Sequence, residues 1–378
     1  VPMDRTGPLP LSFAQERMWL LDRLEGRLVY LEPRTLRLTG ALNVGALRGA
    51  LLALVRRHEA LRITIDASGA EPVQRVTPPG RASCPLPVAD LSALPPDARE
   101  AEALRLRRAE LRRPMDLARG PLVRAGLVRL DSNEHLLVQT LHHIVVDAGS
   151  LEVMDDELSQ LYAASVHGRP PELAPLPVQY GHFALWQRQR LEGPLRREQL
   201  AYWRERLAGA PPLELPLDHP RPVSASHRGG LVQRRLSAAA LARLAAVARD
   251  QGATLFMALL AAYKVLLRRH TGQTDISVGT PISNCGLAEV ERTVGLFLNT
   301  IVLRTDLSGE PSYSEVLRRT REACVGGYAH QELPFEQLVQ ELAPARQHSG
   351  APLFQTMFVL QPRGGSGLCL EGVTAQSE

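Results

Sequence analysis

The sequence is poor in lysine and in aromatic residues. Lys264 is the only lysine among 44 basic residues, and aromatic residues make up 4% of the 378 positions. The formal net charge of +4 therefore rests on arginines, and no block of basic residues is interleaved with aromatic ones. Nucleic-acid-binding surfaces combine those two features, so the composition argues against nucleic acid as a partner.

Cysteine is scarce as well. Cys84, Cys285, Cys324 and Cys369 form neither a disulfide framework nor pairs at metal-ligand spacing. We therefore expect a reduced, cytoplasmic protein without a metal ion. No apolar run has the length of a signal peptide or a membrane span, so we expect no membrane contact. The start at Val1 suggests a piece of a longer polypeptide.

Hydrophobic residues (44%) and charged residues (22%) occur at the frequencies of a globular protein, and 378 residues are enough for two domains. Helical and strand patterns are mixed along the whole chain, which predicts an α/β fold. The patterns predict a helix over 42–58, a buried strand over 135–144, one long helix over 183–207 and a strand near 231–236.

A proline-rich stretch provides the candidate boundary between the domains. Pro170, Pro171, Pro175 and Pro177 follow a predicted helix and precede the next one. We therefore divide the chain into domains of residues 1–172 and 173–378.

The run from His142 to Asp147 is the most informative motif. Two adjacent histidines end a predicted buried strand, and a carboxylate follows the second histidine by four residues. Because strand side chains alternate between faces, only one of the two rings points into a given cavity. Imidazole titrates near neutral pH, so that ring is a candidate for accepting a proton from an amine or an alcohol.

Seven motifs in order resemble the condensation domains of non-ribosomal peptide synthetases, and the resemblance covers essentially the whole chain. The run from His142 to Asp147 matches the HHxxxD core of that family. The stretches that carry the resemblance are Ser12–Trp19, Arg57–Arg62, His142–Asp147, Tyr180–Trp186, Val278–Asn284, Val294–Thr300 and His330–Glu336.

The resemblance implies two lobes like chloramphenicol acetyltransferase, joined in a V-shaped pseudo-dimer, with mixed sheets flanked by helices and a tunnel between the lobes. The second lobe is expected to be incomplete at its carboxy terminus. Donor and acceptor peptidyl carrier proteins would bring thioesters on their own phosphopantetheine arms, so the domain itself is expected to bind no cofactor. An adjacent adenylation domain of the same synthetase is a further expected partner, and we expect a monomeric domain.

By the same resemblance His143 accepts the proton of the acceptor amine or holds that amine by a hydrogen bond. His142 either supports His143, by packing or by fixing its tautomer, or takes part in the chemistry. The family pairs the aspartate, here Asp147, with an arginine, but Cys285 stands at the arginine's position. A buried carboxylate without a partner is costly, so either another arginine (Arg62, Arg292 or Arg304) or backbone amides must satisfy Asp147.

A second departure is Ala148, where the family has glycine. Gly149 is then the candidate for the flexible position, and its amide is a candidate donor to a developing oxyanion. We expect Ser150, Asn299, Thr300 and Ser349 to line the tunnel.

Four further functions stay open on the sequence alone, one of them that of an epimerising relative, which would act on one carrier only. The domain could also modify its acceptor residue, for example by dehydrating a tethered serine. It could be a stand-alone acyltransferase that acts on a soluble amine or alcohol. It could be a non-catalytic platform that recruits tailoring enzymes.

Overall fold

The computed structural model describes residues 9–26, 28–219, 229–283, 286–342, 353–361 and 367–378. The chain forms two compact units. Unit 1 takes in the described residues of Val1–Arg190, Cys285–Phe297 and Arg363–Glu378, and unit 2 those of Leu191–Asn284 and Leu298–Pro362.

The described residues form helices and strands in a mixed order, as the sequence predicts for an α/β fold. The helices are α1 Phe13–Glu25, α2 Val44–Arg57, α3 Pro96–Leu111, α4 Ala148–Val166, α5 Tyr180–Arg190, α6 Pro194–Leu207, α7 Ala238–Asp250, α8 Leu255–Thr271, α9 Tyr313–Ala329 and α10 Phe335–Leu342. The strands are β1 Leu9–Pro10, β2 Leu31–Gly40, β3 Ile63–Asp66, β4 Val73–Val76, β5 Val88–Asp90, β6 Val123–Asp131, β7 Glu134–His142, β8 Asp275–Ser283, β9 Leu298–Asp306 and β10 Val373–Ser377.

Unit 1 is built on a mixed five-stranded sheet in the order β10-β2-β7-β6-β5. All neighbours are antiparallel except β5 and β6. The central strand β7 is buried from His135 to His142, because it has a neighbour on each side and its two faces are covered. The register pairs Leu31 with His142, so β2 runs alongside the end of β7 where the histidine motif begins.

Helices α2 and α4 pack against each other and share the core of unit 1 with this sheet. Helix α2 begins at Asn43, whose side chain accepts a hydrogen bond from the amide of Ala46. Leu47, Leu51 and Leu54 recur at helical spacing and are all buried in the core of unit 1. The predicted helix over 42–58 is confirmed, with bounds shortened by its cap.

Unit 2 contains the antiparallel pair β8–β9 and the helices α6 to α10. Helix α9 packs against β9, where Gly327 lies close to Leu303 and Ile301. The core of unit 2 also encloses Lys264 of α8, which donates hydrogen bonds to the carbonyl of Leu303 (2.8 Å) and to Oγ1 of Thr305 (2.7 Å). The one lysine of the chain is therefore completely buried.

Two predicted elements are wrong. The single helix over 183–207 is two helices, because Gly193 has φ 87° and Pro194, which lacks an amide proton, begins α6. The strand predicted near 231–236 is an irregular, exposed segment, because no strand pairs with it in the described structure. An alternating pattern alone does not supply a sheet neighbour.

The compact units do not follow the predicted lobes of residues 1–172 and 173–378. Helix α5 groups with unit 1, where the ring of Phe183 packs against Phe297 at 4.8 Å between centroids. Strand β10 also belongs to unit 1, because it pairs with β2. The division into two acetyltransferase-like lobes at residue 172 stays a prediction.

Among the described residues, no single helix has both the length and the apolar composition needed to cross a bilayer. Helices α7 and α8 reach that composition only as a pair, bent by 106°.

We predict that Lys264→Met stabilises the protein. Burial, the largest cause, lowers the pKa of Lys264 from 10.5 to about 7, and Arg206 adds to the lowering. Between those pH values the unfolded chain binds a proton that the folded chain does not, so wild-type stability falls as pH decreases from 10.5 to 7. The slope is at most about 1.4 kcal/mol per pH unit. The substitution should remove this slope and raise the free energy of unfolding at pH 7.5 by about 1–3 kcal/mol, after two lost hydrogen bonds are subtracted.

Urea unfolding between pH 7 and 10 measures this effect. Arg243→Met is the matched control, because it removes an exposed cation from the same unit. A Lys264→Met variant that is less stable than the wild type and keeps its pH slope would contradict the prediction.

Candidate active site

The histidine motif lies where the buried strand β7 ends. His142 is the last residue of β7, residues His143–Val145 form a 3₁₀ turn, and Asp147 is the N-cap of α4. The short turn between two rigid elements fixes the side chains at both of its ends. Two backbone bonds hold it in place, from the amide of His142 to the carbonyl of Leu122 and from the amide of His143 to the carbonyl of Tyr30.

The ring of His142 is completely buried and points into unit 1. Its Nδ1 accepts a hydrogen bond from the amide of Ile144 (3.1 Å), and its Nε2 lies 3.3 Å from Oδ1 of Asp22. Because Nδ1 is an acceptor, the proton of the neutral ring is on Nε2 and is donated to Asp22. Both nitrogens are used within the chain, so His142 has no nitrogen available for a substrate.

The ring of His143 has the opposite arrangement. Its Nδ1 lies 2.8 Å from the carbonyl oxygen of Val146, which can only accept, so Nδ1 carries the proton. The Nε2 atom therefore has a free lone pair, and 23% of the side chain is exposed to solvent. The backbone of the motif thus fixes the tautomer that a general base requires.

Asp147 is buried and is satisfied by three hydrogen bonds. Its Oδ1 accepts from the amide of Ser150 (2.9 Å) and lies 2.8 Å from the Ser150 hydroxyl, and its Oδ2 accepts from the amide of Phe297 (2.8 Å). Of the two alternatives that the sequence leaves open, the structure has backbone amides. Cys285, at the position of the family's arginine, lies outside the described residues.

The three candidate arginines bond elsewhere. Arg292 donates to Asp156, Arg304 to Asp275, and Arg62 to the carbonyls of Arg56 and Thr77.

The loop of residues 294–297 is where the sequence motifs meet. The amide of Val294 lies 3.5 Å from Nδ1 of His58, the amide of Gly295 donates to the Ser150 hydroxyl (3.0 Å), and the carbonyl of Leu296 accepts from the Tyr180 hydroxyl (2.6 Å). The amide of Phe297 then reaches Asp147.

Gly295 is required in this loop. A Cβ atom at position 295 would overlap the ring of Tyr180. The glycine of the Val294–Thr300 motif therefore allows the loop to approach α5 closely enough for the Leu296–Tyr180 hydrogen bond.

Helix α1 supports the turn from the other side. Gln15 caps its own helix by accepting from the amide of Ser12 (3.1 Å), and it donates to the carbonyl of Ile144 (3.3 Å). Asp22, two turns further along, accepts the hydrogen bond of His142 Nε2. Neither residue was predicted from the sequence. Their polar character at buried positions of an amphipathic helix, seven residues apart, was the available signal.

Ala148 and Gly149 form the first turn of α4. Neither has a positive φ, so alanine at position 148 causes no strain and Gly149 takes no special conformation. Both residues are exposed. Amides in the first turn of a helix have no acceptor within the helix, so the Gly149 amide is available to an oxyanion.

The predicted tunnel residues have different surroundings. Ser150 is buried, and its hydroxyl contacts Asp147 and Gly295. Its burial does not support the prediction that it lines a tunnel. Asn299 of unit 2 uses its whole amide inside the chain: Nδ2 donates to the carbonyls of Gln331 and Leu333, and Oδ1 accepts from the amides of Phe335 and Thr300.

Thr300 is largely buried in β9, where it is paired with Pro281. Ser349 lies outside the described residues. A tunnel-lining role for Thr300 and Ser349 stays a prediction.

The chain has an α/β fold with mixed sheets flanked by helices, the chloramphenicol acetyltransferase-like fold, and it presents an open imidazole nitrogen beside the end of a central strand. The family model "Condensation domain" matches residues 6–376. The chain therefore belongs to the condensation domains of non-ribosomal peptide synthetases, a family of peptide-bond-forming acyltransferases.

Known proteins resemble the chain along nearly its whole length. It is 48% identical over 363 residues to one subunit of the linear gramicidin synthase of Brevibacillus parabrevis, a match that covers 96% of this chain and 7% of that protein. The X-domain from teicoplanin biosynthesis is 33% identical with a TM-score of 0.86, covering 100% of this chain and 83% of that chain.

The first condensation domain of the calcium-dependent antibiotic synthetase has a TM-score of 0.78 and 24% identity, over 99% of this chain and 84% of that chain. At that identity the likeness shows the fold alone.

We predict that Asp147→Asn loosens the 294–297 loop. An asparagine keeps one acceptor oxygen but turns an NH₂ donor toward either the Phe297 amide or Ser150, which also donates. Hydrogen bonds to a charged acceptor contribute about 1.5–3 kcal/mol, so amide exchange at Phe297 should become at least about tenfold faster. Hydrogen exchange followed by NMR or mass spectrometry measures it.

Ser237→Ala is the matched control, because it removes an N-cap hydrogen bond, to the amide of Ala240, in unit 2. The prediction fails if exchange at Phe297 is the same in Asp147→Asn as in the wild type and the control.

Proposed function

We propose that this domain forms an amide bond between a donor acyl or peptidyl thioester and the amine of an aminoacyl thioester, each carried by a separate peptidyl carrier protein. The observation that carries the proposal is the His143 ring, whose Nδ1 proton is held by Val146, which leaves Nε2 unprotonated on a partly exposed side chain. The family membership supplies the reaction class.

In this reaction His143 takes one proton from the amine and later gives it to the departing thiolate, so the ring ends in its starting form. The amine nitrogen attacks the thioester carbon, a C–N bond forms, and the nitrogen loses a proton to Nε2 of His143. The tetrahedral intermediate then collapses, the C–S bond breaks, and the imidazolium returns the proton to the departing thiolate. General base catalysis of this kind contributes about 10²–10⁴ in rate.

The first turn of α4 provides the other half of the chemistry. Negative charge builds up on the carbonyl oxygen when the amine attacks, and backbone amides at a helix N-terminus favour such charge. The Gly149 amide is the donor that we assign to this oxyanion, because the residue is exposed and lies two positions after the histidine motif, in the first turn of α4.

His142, Asp22 and Asp147 act through the backbone. His142 holds the Ile144 amide, Asp22 fixes the His142 ring, and Asp147 joins the start of α4 to Phe297. We assign them the role of positioning residues. The turn that bears His143 is then set before a substrate arrives, which lowers the cost of bringing the reactants together.

The chain spans only 7% of the length of its curated relative in linear gramicidin synthase. Condensation domains of multidomain synthetases work with carrier and adenylation domains. For this chain we propose that the phosphopantetheine arms belong to the carriers, that an adenylation domain of the same synthetase is its neighbour, and that the domain acts in the cytoplasm as a monomer.

A reconstitution with one donor-loaded and one acceptor-loaded carrier tests the proposal. We predict that the wild type transfers the donor to the acceptor carrier, and that His143→Ala slows single-turnover amide formation at least about 100-fold, because the proton acceptor is lost. Intact-protein mass spectrometry of the acceptor carrier reads the product. His167→Ala is the matched control, because His167 is an exposed histidine of unit 1 that pairs with Glu371, away from the turn.

Each other outcome opposes the proposal in a defined way. A product lighter by one molecule of water would show a domain that also dehydrates its acceptor. Turnover of a soluble amine without an acceptor carrier would show a stand-alone acyltransferase. Transfer that survives His143→Ala would remove the catalytic role of this ring, and no transfer by the wild type would favour a recruitment platform.

A further inference from the structure

Glu32 is a carboxylate that takes no part in the steps described above. It lies on β2, in register with Leu141 of β7, one residue before the histidine pair. Its Oε1 is 3.5 Å from Nε2 of His143, and 42% of its side chain is exposed. Among the described residues, the His143 ring is the one group with which Glu32 forms an ion pair within 4.0 Å.

The other charged groups around the turn are already engaged. On α1, Asp22 is bonded to His142, and on α4, Asp147 is bonded to Ser150 and Phe297. Arg34 of β2 is paired with Asp155 of α4. Tyr30 donates a hydrogen bond to Glu25, and Arg17 of α1 lies near Tyr30. Glu32 is therefore the carboxylate that faces the open nitrogen of His143.

We propose that Glu32 is an electrostatic positioning residue for the proton transfer: its carboxylate pairs with the imidazolium that His143 becomes when it takes the proton of the acceptor amine. This inference rests on the proposed function for its catalytic meaning. The pairing itself is a property of the free domain.

The geometry fits a pair that forms only after proton transfer. In the neutral ring, the Nδ1 proton is held by Val146, so Nε2 and the carboxylate are both acceptors and do not bond. The distance of 3.5 Å between Nε2 of His143 and Oε1 of Glu32 is longer than a charge-assisted hydrogen bond, which measures about 2.7–2.9 Å. Protonation of Nε2 turns the same contact into a bond between opposite charges, and a half-exposed glutamate has the freedom to close the gap.

The size of the effect is modest because the pair is partly solvated. Exposed ion pairs contribute up to about a fivefold change in an equilibrium constant. We therefore expect Glu32→Gln to lower the single-turnover rate of amide formation by up to about fivefold, with the KM for the acceptor carrier changed less than about twofold. The acid limb of its pH–rate profile should move to lower pH than in the wild type, because the carboxylate that favours the imidazolium is removed.

The experiment has one arm without catalysis. The domain, labelled with ¹⁵N-histidine, is titrated by NMR as wild type, Glu32→Gln, Glu32→Asp and Glu71→Gln. Glu71 is exposed in a turn of unit 1 and serves as the charge-matched control. The His143 ring should take up its second proton at lower pH in Glu32→Gln than in the wild type. Glu32→Asp should show a smaller shift in the same direction, and Glu71→Gln no shift.

The second arm measures single-turnover amide formation with loaded carriers over the same pH range. A His143 ring that protonates at the same pH in wild type and Glu32→Gln would overturn the inference. So would a Glu32→Gln variant that raises only the KM for the acceptor, since Glu32 would then bind the acceptor directly. If the wild type forms no amide, the proposed function fails, while the NMR arm still decides whether Glu32 pairs with His143.

Discussion

A carboxylate inside a protein must be given hydrogen-bond donors, and this requirement at Asp147 organises the site. One oxygen caps α4, and the other binds the Phe297 amide, 150 positions further along the chain. Three further anchors, His58, Ser150 and Tyr180, hold the same loop, so the motifs converge on one stretch of backbone. Among the described residues Asp147 has no charged partner, so the aspartate depends on that loop being in place.

The same principle determines what each histidine is able to do. The strand and the following turn give the two rings different backbone partners, an amide donor for His142 and a carbonyl acceptor for His143. Those partners assign opposite tautomers. The His142 ring uses both nitrogens to hold the turn against α1, whereas His143 keeps Nε2 as a base. Two identical side chains at adjacent positions therefore have distinct roles, because the backbone gives their Nδ1 atoms different partners.

The sequence predicted the α/β class, the helix after Asn43, the buried β7 and the place of the histidine motif, because these depend on local periodicity and on a motif that is contiguous. It did not predict the partners of Asp147, since Phe297 is remote in the chain and its amide carries no side-chain signal. The position of Glu32 beside His143 could not be predicted for a related reason, because only the register of β2 against β7 brings the two residues together. Residues 231–236 show the converse, a strand pattern without a pairing partner.

The central claim is that the backbone sets the protonation pattern of the two rings before any substrate binds. Neutron diffraction from crystals of the domain, grown at a pH where both rings are neutral, tests it most directly. The account predicts deuterium on Nδ1 of His143 and on Nε2 of His142, and no deuterium on Nε2 of His143. Deuterium on Nε2 of a neutral His143 would contradict the account, because the unprotonated nitrogen would then be Nδ1, which faces the Val146 carbonyl.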